Sequence, residues 1–304
     1  MIPTFLKKNK FIFLSALALL ISVFYIFILS TDISIVTPIK SKTNDLKAYI
    51  TFSHGDAYDA NANYALTKAI NKKFDILISY KLKHIDQAFF AANKHILNQK
   101  RGSGYWLWKP YFILKTLESL PEGSIVMYND AGLSFTGDID KYIEKMTDSK
   151  KDLVFFFNFH TNRKYIKKET YKIMDMNEKY RDDLQLDARS IIIKKSPQSM
   201  KYIKQWLDLC TNERLLTDKK FSTEPEFEDF IDHRHDQAIL TLLHYKDPTV
   251  VLVLHTKKND GYFHHRRRNI KDFSLALVHI RKNVTLSINH HIHEFKNKFI
   301  HLFS

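Results

Sequence analysis

From Lys47 onward, short apolar runs alternate with amphipathic stretches. Residues 48–52 (AYITF), 74–80 (FDILISY), 124–128 (SIVMY), 153–159 (LVFFFNF), 190–193 (SIII) and 249–254 (TVVLVL) are short and rich in β-branched and aromatic side chains. Such runs predict buried strands. Between them, apolar residues recur at helical spacing over 63–70, 86–97, 111–120, 138–146, 170–180 and 197–210, and from 232 through 243. Residues 133–137 predict a short strand or turn, and 218–230 an acidic loop. Strands that alternate with helices predict an α/β domain with a mixed, mostly parallel sheet flanked by helices.

One stretch concentrates unusual features: RGSGYWLWKPYFILKTLESLPEGSIVMYNDAG, residues 101–132. Gly102 and Gly104 flank an aromatic block of Tyr105, Trp106 and Trp108, which ends in Lys109-Pro110. A helix follows. Pro121-Glu122-Gly123 breaks it, and a short strand delivers Asn129-Asp130 into a turn at Ala131-Gly132. Open α/β sheets hold ligands in the crevice at their strand ends, so a carboxylate there is a candidate functional group. The aromatic block fits a core equally well. The glycine pair and the lysine are harder to explain by packing.

The N-terminal region differs. Residues 11–29 are 19 uncharged, mostly apolar residues, preceded by Lys7, Lys8 and Lys10. This length predicts a transmembrane anchor. It exceeds the apolar core of a usual signal peptide, and no small-x-small cleavage site follows. The flanking lysines place residues 1–10 in the cytoplasm, a single-pass type II topology with the bilayer as partner. Lys40, Lys42 and Lys47 on the other flank oppose that orientation. Residues 30–46 predict a stem, 47–283 the catalytic domain and 284–304 a basic amphipathic tail, lying on a membrane or packed on the domain. Net charge is +14, which suits anionic partners. No nucleic-acid-binding motif accompanies it, so nucleic acid is not an expected partner. The single cysteine, Cys210, excludes an internal disulfide framework.

Three polar clusters could carry chemistry. Asp130 is a carboxylate at a strand end and could ligate Mg²⁺ or Mn²⁺. Asp138-x-Asp140 opens a helix, where capping explains it better than metal binding. His233-Arg234-His235-Asp236-Gln237 precedes an apolar helical face; it exceeds what a cap needs and could bind an anion or hold a carboxylate for acid–base work. His264-His265-Arg266-Arg267-Arg268 could combine metal ligands with guanidinium groups that pair with a diphosphate, or be a solvated basic loop.

Together, ITF at 50–52, RGSGYWLWKPYFILKTL at 101–117, YNDAG at 128–132 and HRHDQAILTLL at 233–243 resemble bacterial and viral sugar transferases of the GT-A type, linked to surface-glycan synthesis. The resemblance spans about residues 48–270. It implies a GT-A-like, Rossmann-like domain, a nucleotide-diphospho-sugar donor, a glycan, lipid or protein hydroxyl acceptor, and a divalent cation, Mn²⁺ or Mg²⁺. By resemblance, Asp130, His264 and His265 are the metal ligands, with Tyr128 where an acidic residue usually stands. Asp236 and Gln237 face the sugar as catalytic residues. Arg101, Tyr105, Trp108, Lys109, Tyr128, His233, Arg234 and Arg266 contact substrate. The reading is a membrane-anchored, metal-assisted glycosyltransferase. The alternatives are a non-catalytic, membrane-anchored binder of glycans or phospholipids with the same fold, and a metal-dependent phosphotransferase or hydrolase.

Overall fold

The computed structural model describes residues 45–70, 72–249, 251–255 and 263–265. Its centre is a seven-stranded mixed sheet. The strands are β1 (Lys47–Phe52), β2 (Ile76–Tyr80), β3 (Ile125–Asn129), β5 (Leu153–Thr161), β6 (Leu184–Leu186), β7 (Ser190–Lys194) and β8 (Val251–His255). The paired neighbours run β2-β1-β3-β7-β5, and β5 also pairs with β6, on the same side as β7, and with β8 on the other. β1 runs parallel to β2 and β3, and β5 parallel to β8. β7 runs antiparallel to both β3 and β5, and β6 antiparallel to β5. Five strands therefore point one way and two the other, as the alternating pattern predicts. Off this sheet, β4 (Leu133–Phe135) pairs with β9 (Phe263–His265).

Five longer helices cover the sheet: α1 (Asp56–Ala69), α2 (Trp108–Ser119), α3 (Ile139–Ser149), α4 (Pro197–Cys210) and α5 (His235–Lys246). Side chains alternate across a strand, and the two cores follow that alternation. Ala48, Ile50, Val126, Phe155 and Ile193 share a core with residues of α2, α4 and α5. Tyr49, Met127, Val154, Phe156 and Ile192 face the other way, onto residues of α1 and α3. The sheet is thus covered on both faces, which explains why its strands read as continuous apolar runs.

Local chemistry sets the element ends. α2 starts at Trp108, three residues before the predicted helix, because Pro110 falls in the first turn, where its missing N–H removes no helical bond. The predicted 86–97 helix is two short helices, Gln87–Ala92 and Lys94–Leu97, interrupted at Asn93, whose side chain bonds back to the Phe89 carbonyl. α4 carries a reciprocal cap between Ser196 and Ser199, with Pro197 in its first turn. Asp138 caps α3 by accepting from the Asp140 N–H at 3.1 Å, as expected for that pair.

The expected architecture is corrected in one respect. Among the described residues no helix is long and apolar enough to cross a membrane. Residues 11–29 lie outside the described residues, as do most of the stem and the 284–304 tail. The structure therefore gives the membrane anchor, the bilayer partner and the type II placement no support.

Candidate active site

From β1 the chain reaches β2 on one side and β3 on the other, so the topological switch lies between the ends of β1 and β3. A crevice forms at such a point because the two connections leave in opposite directions. Here it is a cavity of about 640 Å³. The end of β1 and the residues after it contribute Phe52, Ser53 and His54, and the end of β3 contributes Tyr128 with Asp130 just beyond; Trp108 closes one wall. The Trp108 ring stacks on Phe52 with centroids 3.6 Å apart. A second cavity of about 240 Å³ adjoins it and is more polar, with Lys109, Asn158, His160, Asp236 and Gln237 on its walls. The two cavities share Trp106, Asp130, Arg189 and Arg234.

A charge cluster forms the floor, with Lys109 and Asp236 buried and Asp130 half-buried. Lys109 Nζ, 3% exposed, lies 2.8 Å from Asp236 Oδ2 and 3.5 Å from Asp130 Oδ1. The approach to Asp236 is ionic; that oxygen lacks a well-aligned hydrogen bond. Tyr128 Oη donates to Asp130 Oδ1 at 2.5 Å. Burial alone would lower the Lys109 ammonium, but Asp130 and Asp236 outweigh it and hold it above its ordinary value. Burial pushes the Asp236 carboxyl up to about 6 in spite of Lys109, with the Asp130 charge adding to the rise. The Tyr128 hydroxyl is raised by burial and by the Asp130 charge, so it remains a donor.

The second wall is built by an interruption in a strand. β6 and β7 run the same way along one side of β5: Leu186 pairs with Phe157, then Ile192 with Val154. Asp187, Ala188 and Arg189 bulge out between them, a device that re-aims side chains beside sites. Arg189 and Asp187 form a fork, Nε to Oδ1 at 2.8 Å and Nη2 to Oδ2 at 2.6 Å. Asp187 holds the Arg189 guanidinium above its ordinary value. Arg234 stands over the Tyr165 ring at 4.7 Å. His160 is lowered by burial, then by the charges of Arg234 and Arg189.

Residues 102–106 form a left-handed turn. Gly102, Ser103, Gly104, Tyr105 and Trp106 have φ of 55°, 52°, 96°, 52° and 61°. L-residues avoid this region because Cβ crowds the following carbonyl. Glycine is required at both its positions: a Cβ at Gly102 would lie 2.4 Å from the Trp106 ring, and one at Gly104 2.8 Å from Leu97 Cα. The turn packs the Trp106 ring on His235, with centroids 5.1 Å apart, and the Trp108 indole donates to the Gly102 carbonyl at 2.9 Å.

The residues singled out in the sequence separate into groups. Lys109, Tyr128, Asp130, Trp108, Arg234, Asp236 and Gln237 all reach the cavities. Arg101 is ion-paired with Asp218 and Asp232, and Tyr105 packs on His235. Both ring nitrogens of His233 are engaged, Nε2 with the Leu215 carbonyl at 2.7 Å and Nδ1 with the Lys167 N–H at 3.3 Å. The His235 Nδ1–H donates to the Leu216 carbonyl, and burial lowers that ring to about 4. The backbones of His264 and His265 pair with Ser134 and Leu133. Arg266 lies outside the described residues. Asp187, Arg189, Asn158 and His160 were missed. Their only signal is that polar residues break apolar strands.

The expected Mn²⁺ or Mg²⁺ site is corrected. Among the described residues no group of three or more His, Cys, Asp or Glu side chains could hold a metal ion. Asp130 is instead engaged by the Tyr128 hydroxyl and the Lys109 ammonium.

No protein family's sequence profile matches the chain, and no curated protein matches it. Among solved structures, it is similar to the apo form of mouse xyloside xylosyltransferase 1, with TM-score 0.42 and 11% identity over 69% of this chain and 84% of that one. It is similar to a glycosyltransferase involved in glycosylation of the major capsid of PBCV-1, with TM-score 0.42 and 10% identity over 75% and 98%. A third likeness is the galactosyltransferase LgtC in complex with donor and acceptor sugar analogues, with TM-score 0.37 and 15% identity over 67% and 72%. At these values none of them assigns chemistry to this chain.

Proposed function

We propose that this chain is a glycosyltransferase that takes its sugar from a nucleotide-diphospho-sugar and passes it to a hydroxyl acceptor. The observation that carries the reading is the pair of unlike cavities that meet at Trp106, Asp130, Arg189 and Arg234, where the Asp130 carboxylate is offset by Lys109. The larger, at the switch point, has aromatic walls suited to a nucleoside. The smaller has carboxylate, amide and imidazole walls suited to a polyhydroxyl ring. Arg189 and Arg234 stand where an anionic linker between those halves would lie, and guanidinium groups match phosphate oxygens. A ligand with a nucleoside at one end, a sugar at the other and a diphosphate between fits that division.

In this reading the acceptor oxygen bonds to the anomeric carbon as the bond to the diphosphate oxygen breaks. The departing nucleoside diphosphate keeps the electron pair, and the arginines stabilise its growing charge. Asp236, whose carboxyl is poised at about 6, takes the acceptor's proton. Lys109 keeps both floor carboxylates in place.

The test is a thermal-shift titration of the full chain with UDP, GDP, CMP and dTDP, followed by a transfer assay with the matching nucleotide sugars. A ligand that binds only the folded state at a hundredfold excess over Kd adds about 2.7 kcal/mol of apparent stability. One nucleotide is expected to raise Tm by several degrees. A folded sample that responds to none would sink the proposal and turn attention to plain glycan binding. Asp236→Asn is expected to abolish transfer while leaving the fold intact, because it removes the group that takes the acceptor's proton.

A further inference from the structure

The three-residue excursion between β6 and β7 accounts for all its backbone N–H groups. Asp187 N–H donates to the Phe156 carbonyl on β5 at 2.6 Å. Ala188 N–H donates to Gln237 Oε1 on α5 at 3.4 Å, and Gln237 Nε2 in turn donates to Gln185 Oε1 at 2.6 Å. Arg189 N–H donates to Asp187 Oδ1 at 3.0 Å, and the Arg189 carbonyl accepts from the Asp130 N–H at 2.8 Å. A loop held by β5, α5 and β3 at once has little freedom. The fork to Asp187 then fixes the one long side chain the loop carries. It uses Nε and Nη2 of Arg189, and among the described residues nothing engages Nη1. A guanidinium has five N–H donors in a rigid plane, so donors are left over on a side chain that lines both cavities.

We infer that Asp187 and Gln237 are positioning residues that hold Arg189 as a preset clamp for the diphosphate of the ligand. This rests on the nucleotide-sugar reading, and it moves Gln237 from the sugar to the clamp. Orientation by a carboxylate matters because a free arginine would have to be ordered by the ligand itself, and that ordering opposes binding. Lysine at this place would keep the charge and lose the fork.

Inorganic pyrophosphate tests the clamp without reference to the base or sugar. Its affinity for the full chain is compared with that of orthophosphate by calorimetry, in the wild type and in Arg189→Gln, Arg189→Lys, Asp187→Asn, Gln237→Leu and the Asp187→Asn/Arg189→Gln pair. The wild type is expected to prefer pyrophosphate. Arg189→Gln is expected to weaken pyrophosphate by about tenfold or more and orthophosphate far less, because a charge-assisted bidentate contact is lost. Arg189→Lys, Asp187→Asn and Gln237→Leu are each expected to weaken pyrophosphate by a smaller factor. The pair should be no worse than Arg189→Gln alone, since both changes act through one group. Unchanged pyrophosphate binding in Arg189→Gln would overturn the clamp, as would additive losses in the pair or a wild type that ignores pyrophosphate. A wild type that binds pyrophosphate through Arg189 but answers to no nucleotide would keep the clamp and remove the glycosyltransferase reading.

Discussion

Lys109 offsets two carboxylates, Asp236 buried and Asp130 partly exposed. Removing one partner of a buried ion pair costs about 3–5 kcal/mol, because the other charge is left uncompensated. Lys109→Met is therefore expected to lose about that much stability in urea unfolding at pH 7. Adding Asp236→Asn to Lys109→Met should recover part of it, because a buried charge disappears. Asp236 also sets a pH dependence. Its folded pKa, about 6, stands above the ordinary aspartate value of 3.8, so between the two the folded chain keeps a proton that the unfolded chain has released. Stability from this group is thus highest below pH 4 and falls as pH rises through 6, by about 3 kcal/mol in all. The check is urea unfolding of wild type and Asp236→Asn across pH 4–7: the variant should show the shallower decline. At this scale the sequence was informative where chemistry interrupts a glycine- or helix-bounded block, as at Lys109, Asp130 and Asp236. It was silent on Asp187 and Arg189. An Asp-Ala-Arg between Leu184-Gln185-Leu186 and Ser190–Ile193 looks like any surface turn until the strand it interrupts is seen beside β5.

Among the elements, the left-handed turn ahead of α2 is held in place by its surroundings. Three of its residues, Ser103, Tyr105 and Trp106, are not glycine, and each opposes the conformation by roughly 1–2 kcal/mol. Gly104→Ala adds a Cβ against Leu97 backbone and is expected to cost about 2–4 kcal/mol, combining the left-handed penalty with overpacking. Gly132→Ala is the control: nothing lies within 4 Å of its Cβ, so its unfolding midpoint should hardly move. Circular dichroism during urea titration separates the two. Elements with strong periodicity or caps were legible: α4 spans the predicted 197–210, and β1 and β5 lie within two residues of their apolar runs. β6 and β9 were not, because three residues are too few to show alternation. The handedness at 102–106 left only the two glycines as a trace, and the fact that Ser103, Tyr105 and Trp106 share it depends on contacts with α5 and Leu97.

For the molecule as a whole, the alternation of strands and helices was enough to predict a mixed, mostly parallel sheet. The strand order was beyond it: β7 sits between β3 and β5 through pairings such as Met127 with Ile192, and periodicity carries no information about partners so far apart. Charge acts on this scale too. The chain carries +14 overall, and two arginines stand at the junction of its cavities. Ligand affinity should therefore fall as sodium chloride rises from 50 to 500 mM, since the screening length shrinks from over about 10 Å to under about 5 Å. Arg189→Gln should flatten that salt dependence, as read by the same pyrophosphate titrations.

β6 and β7 occupy a single strand's track along β5, with Asp187, Ala188 and Arg189 looped out of it. That gives the sheet a place where chain length can change without disturbing the ladder. A residue inserted into the loop would lengthen the arm that carries Arg189 and leave both flanks in register. The same insertion inside β7 would turn Ile191, Ile192 and Ile193 to opposite faces and swap what each core receives. Reach toward the ligand can therefore vary independently of the core, so related chains could adapt to longer or shorter anionic linkers without rebuilding the sheet.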